Sequence, residues 1–251
     1  MLRMTTKYKL LALDMDGTVL NEEQKISQEN REAIAAAIQA GITVMFSTGR
    51  GVQTVLPYVE QLGLQSPLVS VNGSEVWSAP HQLHKRIVMP VDIIKRLHTM
   101  AVQAGSWYWA YAVEGLFNRD QWTPSVDQNT WLKFGFYEEN AQLLSEIRAE
   151  VASWDLFEIT NSNINNIELN PKGISKGSGM LEVCKLQGIG MHEVVAMGDS
   201  LNDLSMIKAA GLGVAMGNAQ DELKAHADLV TVTNDEHGVA KIIHEYILNQ
   251  S

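Results

Sequence analysis

The run Leu10-Leu11-Ala12-Leu13-Asp14-Met15-Asp16-Gly17-Thr18 changes character in one step, from four apolar residues to a loop with two acids, a glycine and a hydroxyl. A short apolar run bounded by turn residues reads as a strand buried on both faces, the mark of a parallel sheet. The acids then stand at a strand's carboxyl end. Alternate side chains of an extended backbone point the same way, so Asp14 and Asp16 can face one substrate, one attacking and the other handling a proton. By itself the same run also suits an acidic loop that merely caps a turn.

Downstream, Ser27-Gln28-Glu29-Asn30 offers a capping box into an amphipathic helix with Ile34 and Ile38 four apart and Gly41 as its stop. A strand from Ile42 to Phe46 ends in Ser47-Thr48-Gly49-Arg50, a helix runs from about Val52 to Leu62, and a third strand, Leu68 to Val71, closes on Asn72-Gly73-Ser74. Strand, helix, strand, helix, strand is the pattern of a parallel sheet with right-handed crossovers, in which ligands gather at the strands' carboxyl ends. The rhythm resumes late in the chain with a helix from Lys176 to Leu186, a strand Val194 to Met197, the loop Gly198-Asp199-Ser200 and a helix Asn202 to Ala210. A last apolar strand, Gly213 to Ala215, and a closing helix from about Gly238 to Leu248 finish it.

Between these halves lie a helix from Pro90 to Ala104, the stretch Trp107 to Val113, the polar Asn118-Arg119-Asp120, a helix near Ala141 to Val151 and two short strands, Leu156 to Thr160 and Ile164 to Leu169. The expected fold class is α/β: a Rossmann-like parallel-sheet core with helices on both faces, formed by residues 1–80 and 174–251, with 81–173 as an inserted α+β domain. Trp107, Trp109, Trp122, Trp131 and Trp154 all fall in the insertion. Core packing is the commoner role for such aromatics, and a ligand pocket the alternative.

A formal net charge of −10, with no basic run to override it, argues against nucleic acid as a partner. The short polar start, Met1 to Lys9, and the interruption of the next apolar run by Asp14 fit neither a signal peptide nor a spanning helix, so no membrane and a cytoplasmic location are expected. Cys184 is a lone cysteine within a helical pattern, read as a buried, inert thiol. His81 and His84 lack a third ligand and read as a polar turn. Gly211-x-Gly213 with Gly217 imitates a dinucleotide fingerprint, but its third glycine is one place late and opens no helix.

Thr48-Gly49 supplies a hydroxyl and an unhindered backbone N–H for phosphate oxygens. Lys176 opens a helix, where cation and helix end together favour a phosphate dianion. Gly198-Asp199-Ser200-Leu201-Asn202-Asp203 places two more acids four apart after a strand, and hard oxygen ligands in this number suit Mg²⁺. Each piece alone has a bland reading as a turn or a solvated side chain; jointly they serve phosphoryl transfer.

Their combination resembles the haloacid dehalogenase superfamily, whose four signatures match Asp14-Met15-Asp16-Gly17-Thr18, Ser47-Thr48-Gly49-Arg50, Lys176, and Gly198 through Asp203. Val71-Asn72-Gly73, Gly213 through Ala219, and Thr233 through Ala240 narrow the likeness to the Cof-like sugar-phosphatase branch, with the insertion as its cap domain. The resemblance implies a magnesium-dependent phosphatase acting on a small phosphorylated metabolite, a sugar phosphate or similar, through an aspartyl-phosphate. Asp14 would be nucleophile and Asp16 acid and base; Thr48, Gly49, Lys176 and Asn202 would hold phosphate. Mg²⁺ would sit on Asp14, the Asp16 backbone carbonyl and Asp199, with Asp203, Asn72 and Arg50 in or behind the site. The cap would choose the substrate, with Trp109, Tyr111, Asn118 and Arg119 as candidates. A phosphotransferase, a phosphate sensor with a dead site and a docking module with an aromatic face remain as alternatives, and the oligomeric state is left open.

Overall fold

In the computed structural model, which describes residues 7–249, β1 (Leu10–Leu13) leads through α1 (Gln28–Gln39), β2 (Thr43–Phe46) and α2 (Val52–Leu62) to β3 (Leu68–Ser70) and a hairpin, β4 (Glu75–Ala79) and β5 (Gln82–Arg86). The middle of the chain forms α3 (Val91–Ala104), β6 (Trp107–Ala112), β7 (Gly115–Asn118), β8 (Trp131–Tyr137), α4 (Ala141–Ser153), β9 (Phe157–Thr160) and β10 (Asn166–Pro171). The return comprises α5 (Lys176–Gln187), β11 (Val194–Gly198), α6 (Leu204–Ala209), β12 (Leu212–Ala215), α7 (Asp221–Lys224), β13 (Leu229–Val230) and α8 (Gly238–Ile242), which continues as a π-helical turn, Ile243–Leu248.

The first sheet is parallel, in the order β13-β12-β11-β1-β2. All four residues of β1 have zero exposure, so side chains on both faces of its sheet are covered; α1 packs with α8, and α5 with α6, around it. Leu13 lies opposite Met197 on one side and Phe46 on the other, which brings Asp14, Ser47 and Gly198 out along a single edge. β3 joins that edge through the Ser47–Val69 bridge and the Thr48 N–H, which donates to Val69 O at 3.0 Å. Beyond it the β4–β5 hairpin continues antiparallel.

Several sequence expectations need adjusting. Ser27 caps α1 by accepting the Asn30 N–H, but Asn30 does not reciprocate; its side-chain oxygen accepts the Ala240 N–H at 2.9 Å and ties α1 to α8. Ile38 is exposed while Ile34 is buried. The expected division at residue 81 falls in the turn of the β4–β5 hairpin, whose strands pair with each other and with β3. The segment expected as one helix from Asn202 opens with a 3₁₀ turn, Leu201–Asp203, and β13 follows the strand read as the last. Residues 1–6, most of the polar start, lie outside the described residues. Among the described residues, no helix is long and apolar enough to cross a membrane. Cys184 is buried, and burial pushes its thiol up.

The second sheet is antiparallel, in the order β7-β6-β8-β10-β9, and α3 and α4 cover one of its faces. Ile94, Leu97, Trp131, Phe134, Ile147 and Leu169 form the core there, with Trp122 stacked on Trp131. A register shift between Tyr111 and Ala112 separates Trp131, opposite Ala112 and in that core, from Lys133, opposite Tyr111. Cross-strand partners share a face, so Trp109, Tyr111, Lys133 and Glu168 stand together on the face away from the helices. Gly135 makes room among them: a Cβ there would meet the Trp109 ring at 2.3 Å.

Candidate active site

Two turns assemble the edge where the parallel strands end. Gly17 has φ 70°, and a Cβ on it would lie 2.4 Å from Asp199 Oδ2, so a glycine both bends the chain after Asp16 and admits the Asp199 carboxylate. Val71, Asn72 and Gly73 have φ of 50°, 55° and 99°, a left-handed run that is costly at a β-branched valine. The Val71 N–H donates to Arg50 O and the Asn72 N–H to Thr48 O, each at 2.9 Å, and the Gly73 backbone packs on Ser175. Ser175 and Ser178 close a capping box at the start of α5, which fixes Lys176.

Lys176 is fully buried, and its Nζ donates to Asp14 Oδ1 at 2.6 Å and to Asp203 Oδ1 at 2.7 Å. The other Asp203 oxygen accepts the N–H groups of Asp199 (3.0 Å) and Ser200 (3.1 Å). Asp203 is thereby committed to the protein on both oxygens, and it positions Lys176 and the Asp199 loop. One carboxylate oxygen each of Asp14, Asp199 and Asp203 lies within 4.8 Å of the others.

Three carboxylates against one ammonium leave two negative charges uncompensated in a buried cluster. Burial and the neighbouring Asp203 push Asp14 well above the ordinary carboxylate range, against the pull of Lys176. The same two causes raise Asp199 to about 7. Burial alone would lower the Lys176 ammonium, but Asp14 and Asp203 outweigh it and raise it instead. A divalent cation would cancel the excess charge, and Asp14 and Asp199, each with oxygen to spare, are the donors for it. Asn202 lines the same cavity, and its buried Oδ1 has no hydrogen-bond partner among the described residues.

Asp16 behaves differently. Its side chain is half exposed, and Arg50 holds it through Nε to Oδ2 (2.7 Å) and Nη2 to Oδ1 (2.5 Å), while Arg50 also reaches Gln24 Oε1. Burial pushes the Asp16 carboxyl up, and the Arg50 guanidinium more than reverses this, holding it below its ordinary value. Two acids two residues apart are thus set to opposite protonation tendencies by their surroundings.

A cavity of about 270 Å³ opens at this edge, bounded on the core side by Asp14, Asp16, Thr48, Gly49, Arg50, Asp199 and Asn202. Lys176, Asp203 and Asn72 stand behind that wall. Asn72 is a hub, donating to Glu168 Oε2 (2.5 Å) and Asn170 Oδ1 (3.3 Å) and accepting from Asn202 Nδ2 (3.4 Å). The opposite wall comes from the antiparallel sheet, Trp109, Tyr111, Lys133 and Glu168, with Ser162 from the β9–β10 loop. Of the four cap candidates, Trp109 and Tyr111 belong here. Asn118 and Arg119 do not; Asn118 caps its own turn through Asp120 and Gln121, and Arg119 donates to Gly105 O.

Lys133 and Glu168 escaped the sequence reading, although each carried a signal. Lys133 interrupts the apolar run Trp131-Leu132-Lys133-Phe134, and Glu168 sits between Ile167 and Leu169. A charge inside an apolar strand is seldom buried without a partner.

The family model for haloacid dehalogenase-like hydrolases matches residues 11–134 and 120–243. A 5-amino-6-(5-phospho-D-ribitylamino)uracil phosphatase of Bacillus subtilis, YcsE, is 44% identical over 96% of both chains. A second Bacillus subtilis phosphatase of the same description, YitU, is 30% identical over 97% of this chain and 99% of its own. A haloacid dehalogenase-like hydrolase of B. subtilis has a solved structure that superposes with a TM-score of 0.86 at 27% identity, covering 95% of this chain and 100% of that one. By motifs, fold and these likenesses, the chain belongs to the haloacid dehalogenase-like hydrolases, in their Cof-like branch, and is one of the family's phosphatases.

Proposed function

We propose that the chain is a magnesium-dependent phosphatase that removes the phosphoryl group of a small phosphorylated metabolite through an aspartyl-phosphate on Asp14. The observation that carries this is the Lys176-linked cluster of Asp14, Asp199 and Asp203, whose excess negative charge a divalent cation would balance and which leaves one Asp14 oxygen unengaged by Lys176. When bound, Mg²⁺ would be held by Asp14, Asp199 and the Asp16 carbonyl, and would supply charge neutralisation between the carboxylate and an incoming phosphate.

The residues then divide the work. Lys176 orients Asp14 and opposes the upward push of burial and Asp203 on its carboxyl, and a cation on Asp14 would complete its ionisation for attack on phosphorus. Thr48, Gly49 and Asn202 face the cavity and hold the phosphate oxygens. Asp16 delivers a proton to the leaving oxygen and then takes one from the water that cleaves the acyl phosphate, for which it must part from Arg50. The unit from about residue 87 to 172 acts as the cap, closing over the site and excluding water. Its aromatic wall, Trp109 and Tyr111, suits a flat group beyond a sugar-like phosphate, which agrees with the substrate named for YcsE. The setting is the cytoplasm.

The test is release of phosphate from an aryl phosphate by the purified chain. Release with Mg²⁺, lost on chelation and absent from Asp14→Asn, supports the reading; release indifferent to chelator overturns it. Phosphate moved to an added sugar alcohol instead of water would mark a phosphotransferase.

A further inference from the structure

The cavity wall opposite the acids carries a charge pair for which the proposed chemistry has no use. Lys133 and Glu168 come from adjoining strands of the antiparallel sheet and are 1% and 4% exposed, with Lys133 Nζ 3.3 Å from Glu168 Oε1. A buried ion pair contributes little to stability compared with apolar side chains of the same volume, because desolvation offsets its attraction. Its value lies in where it points, and both members line the cavity.

Lys133 reaches the phosphate-side loop itself. Its Nζ donates to Gly49 O at 3.0 Å, and a Cβ on Gly49 would lie 3.4 Å from that Nζ, 2.9 Å from Asn72 Oδ1 and 3.6 Å from Asn202 Nδ2. An ammonium has three N–H groups. Gly49 O and Glu168 engage two, and the third has no oxygen partner, only the Tyr111 ring of the cavity wall with its centroid 5.2 Å from Nζ. Glu168 accepts from Asn72 Nδ2, Ser162 Oγ and Lys133, three of about four acceptor sites of a carboxylate. One donor and one acceptor therefore stand side by side next to the phosphate position. A hydroxyl accepts one hydrogen bond while donating another, so it satisfies both, and an aromatic or alkyl carbon satisfies neither.

We infer that Lys133 and Glu168 are specificity-determining residues that bind the hydroxyls beside the phosphorylated carbon, selecting polyol phosphates over esters without neighbouring hydroxyls. The inference rests on the phosphatase reading above and deepens it. An ester without hydroxyls leaves the remaining donor and acceptor desolvated and unmatched, which is the strongest form of discrimination a pocket commands.

The experiment compares kcat/KM of the Mg²⁺-loaded enzyme for ribitol phosphate with that for para-nitrophenyl phosphate, in wild type, Lys133→Met and Glu168→Gln. The expected result is a preference for ribitol phosphate in the wild type, and a fall of about 10- to 100-fold in the ratio of the two values for each variant, the worth of one hydrogen bond to a charged group. Should the lone charge left by Lys133→Met prevent folding, Lys133→Met/Glu168→Gln removes both charges and carries the same comparison. A ratio that stays within about threefold of wild type overturns the inference. If both rates fall together, the pair is a strap between cap and core; if neither falls, it is packing. Wild-type protein that releases phosphate from neither ester sinks the phosphatase reading and this inference with it, an outcome distinct from an active enzyme whose ratio does not move.

Discussion

Asp203 shows how a residue that never faces the cavity can govern it. Its two oxygens hold Lys176, Asp199 N–H and Ser200 N–H together. In Asp203→Asn the amide keeps the shape but presents one acceptor oxygen and no charge, so the Asp199 loop loosens. We expect Mg²⁺ affinity or kcat/KM to fall by about 10- to 100-fold, read by metal titration of activity. Gly17→Ala meets two obstacles, a left-handed φ and the Asp199 carboxylate 2.4 Å from the new Cβ. A loss of about 1–3 kcal/mol in stability, together with weakened metal binding, follows and is measurable by denaturant titration with and without Mg²⁺. Arg50 holds Asp16 below its ordinary pKa against the upward push of burial. Arg50→Met removes the downward pull and leaves burial, so the Asp16 pKa of the free enzyme rises; the alkaline limb of the kcat/KM profile should move to higher pH, and an unmoved limb would separate Asp16 from the proton transfer.

At the scale of elements, the parallel core was legible because β1, β2 and β11 are unbroken apolar runs that end abruptly in polar loops, and α1, α2 and α5 carry their own start or stop residues. The antiparallel sheet was much less so. β8 is its central strand, yet Trp131 to Tyr137 mixes lysine and glycine with aromatics, since one face packs on α3 and α4 while the other looks into the cavity. β4 and β5 were invisible because β5 is largely exposed and polar, and β13 has only two residues. The same logic explains the site: Asp14, Asp16, Lys176 and Asp199 follow recognisable breaks in pattern, whereas Lys133 and Glu168 take their meaning from a register no local pattern specifies. Trp131 is fully buried between α3 and the sheet and stacks with Trp122. Trp131→Ala should cost about 3–5 kcal/mol and unfold the antiparallel unit first, seen as a tryptophan fluorescence change at lower denaturant than in the wild type.

Across the whole molecule, the site is a local excess of negative charge that folding tolerates only with help. Asp199 is raised from 3.8 to about 7 by burial and Asp203. Between those two values the folded chain keeps a proton that the unfolded chain has lost, so without metal stability falls as pH rises through that window and levels off above it. Metal binding favours the ionised form, so its stabilisation should grow over the same range. Melting temperatures with chelator should fall from about pH 5 to about pH 8, and Mg²⁺ should restore more at the upper end. Parallel melting curves at both pH values would remove the cation from the cluster. The nucleophile is identified by acid quenching of the enzyme during turnover of a phosphate ester with Mg²⁺, followed by peptide mapping by mass spectrometry. One phosphoryl group on the peptide carrying Asp14, at that residue, is the expected result; product formation with phosphate found on another side chain, or an Asp14→Asn enzyme that still turns over at the wild-type rate, would remove Asp14 as the nucleophile.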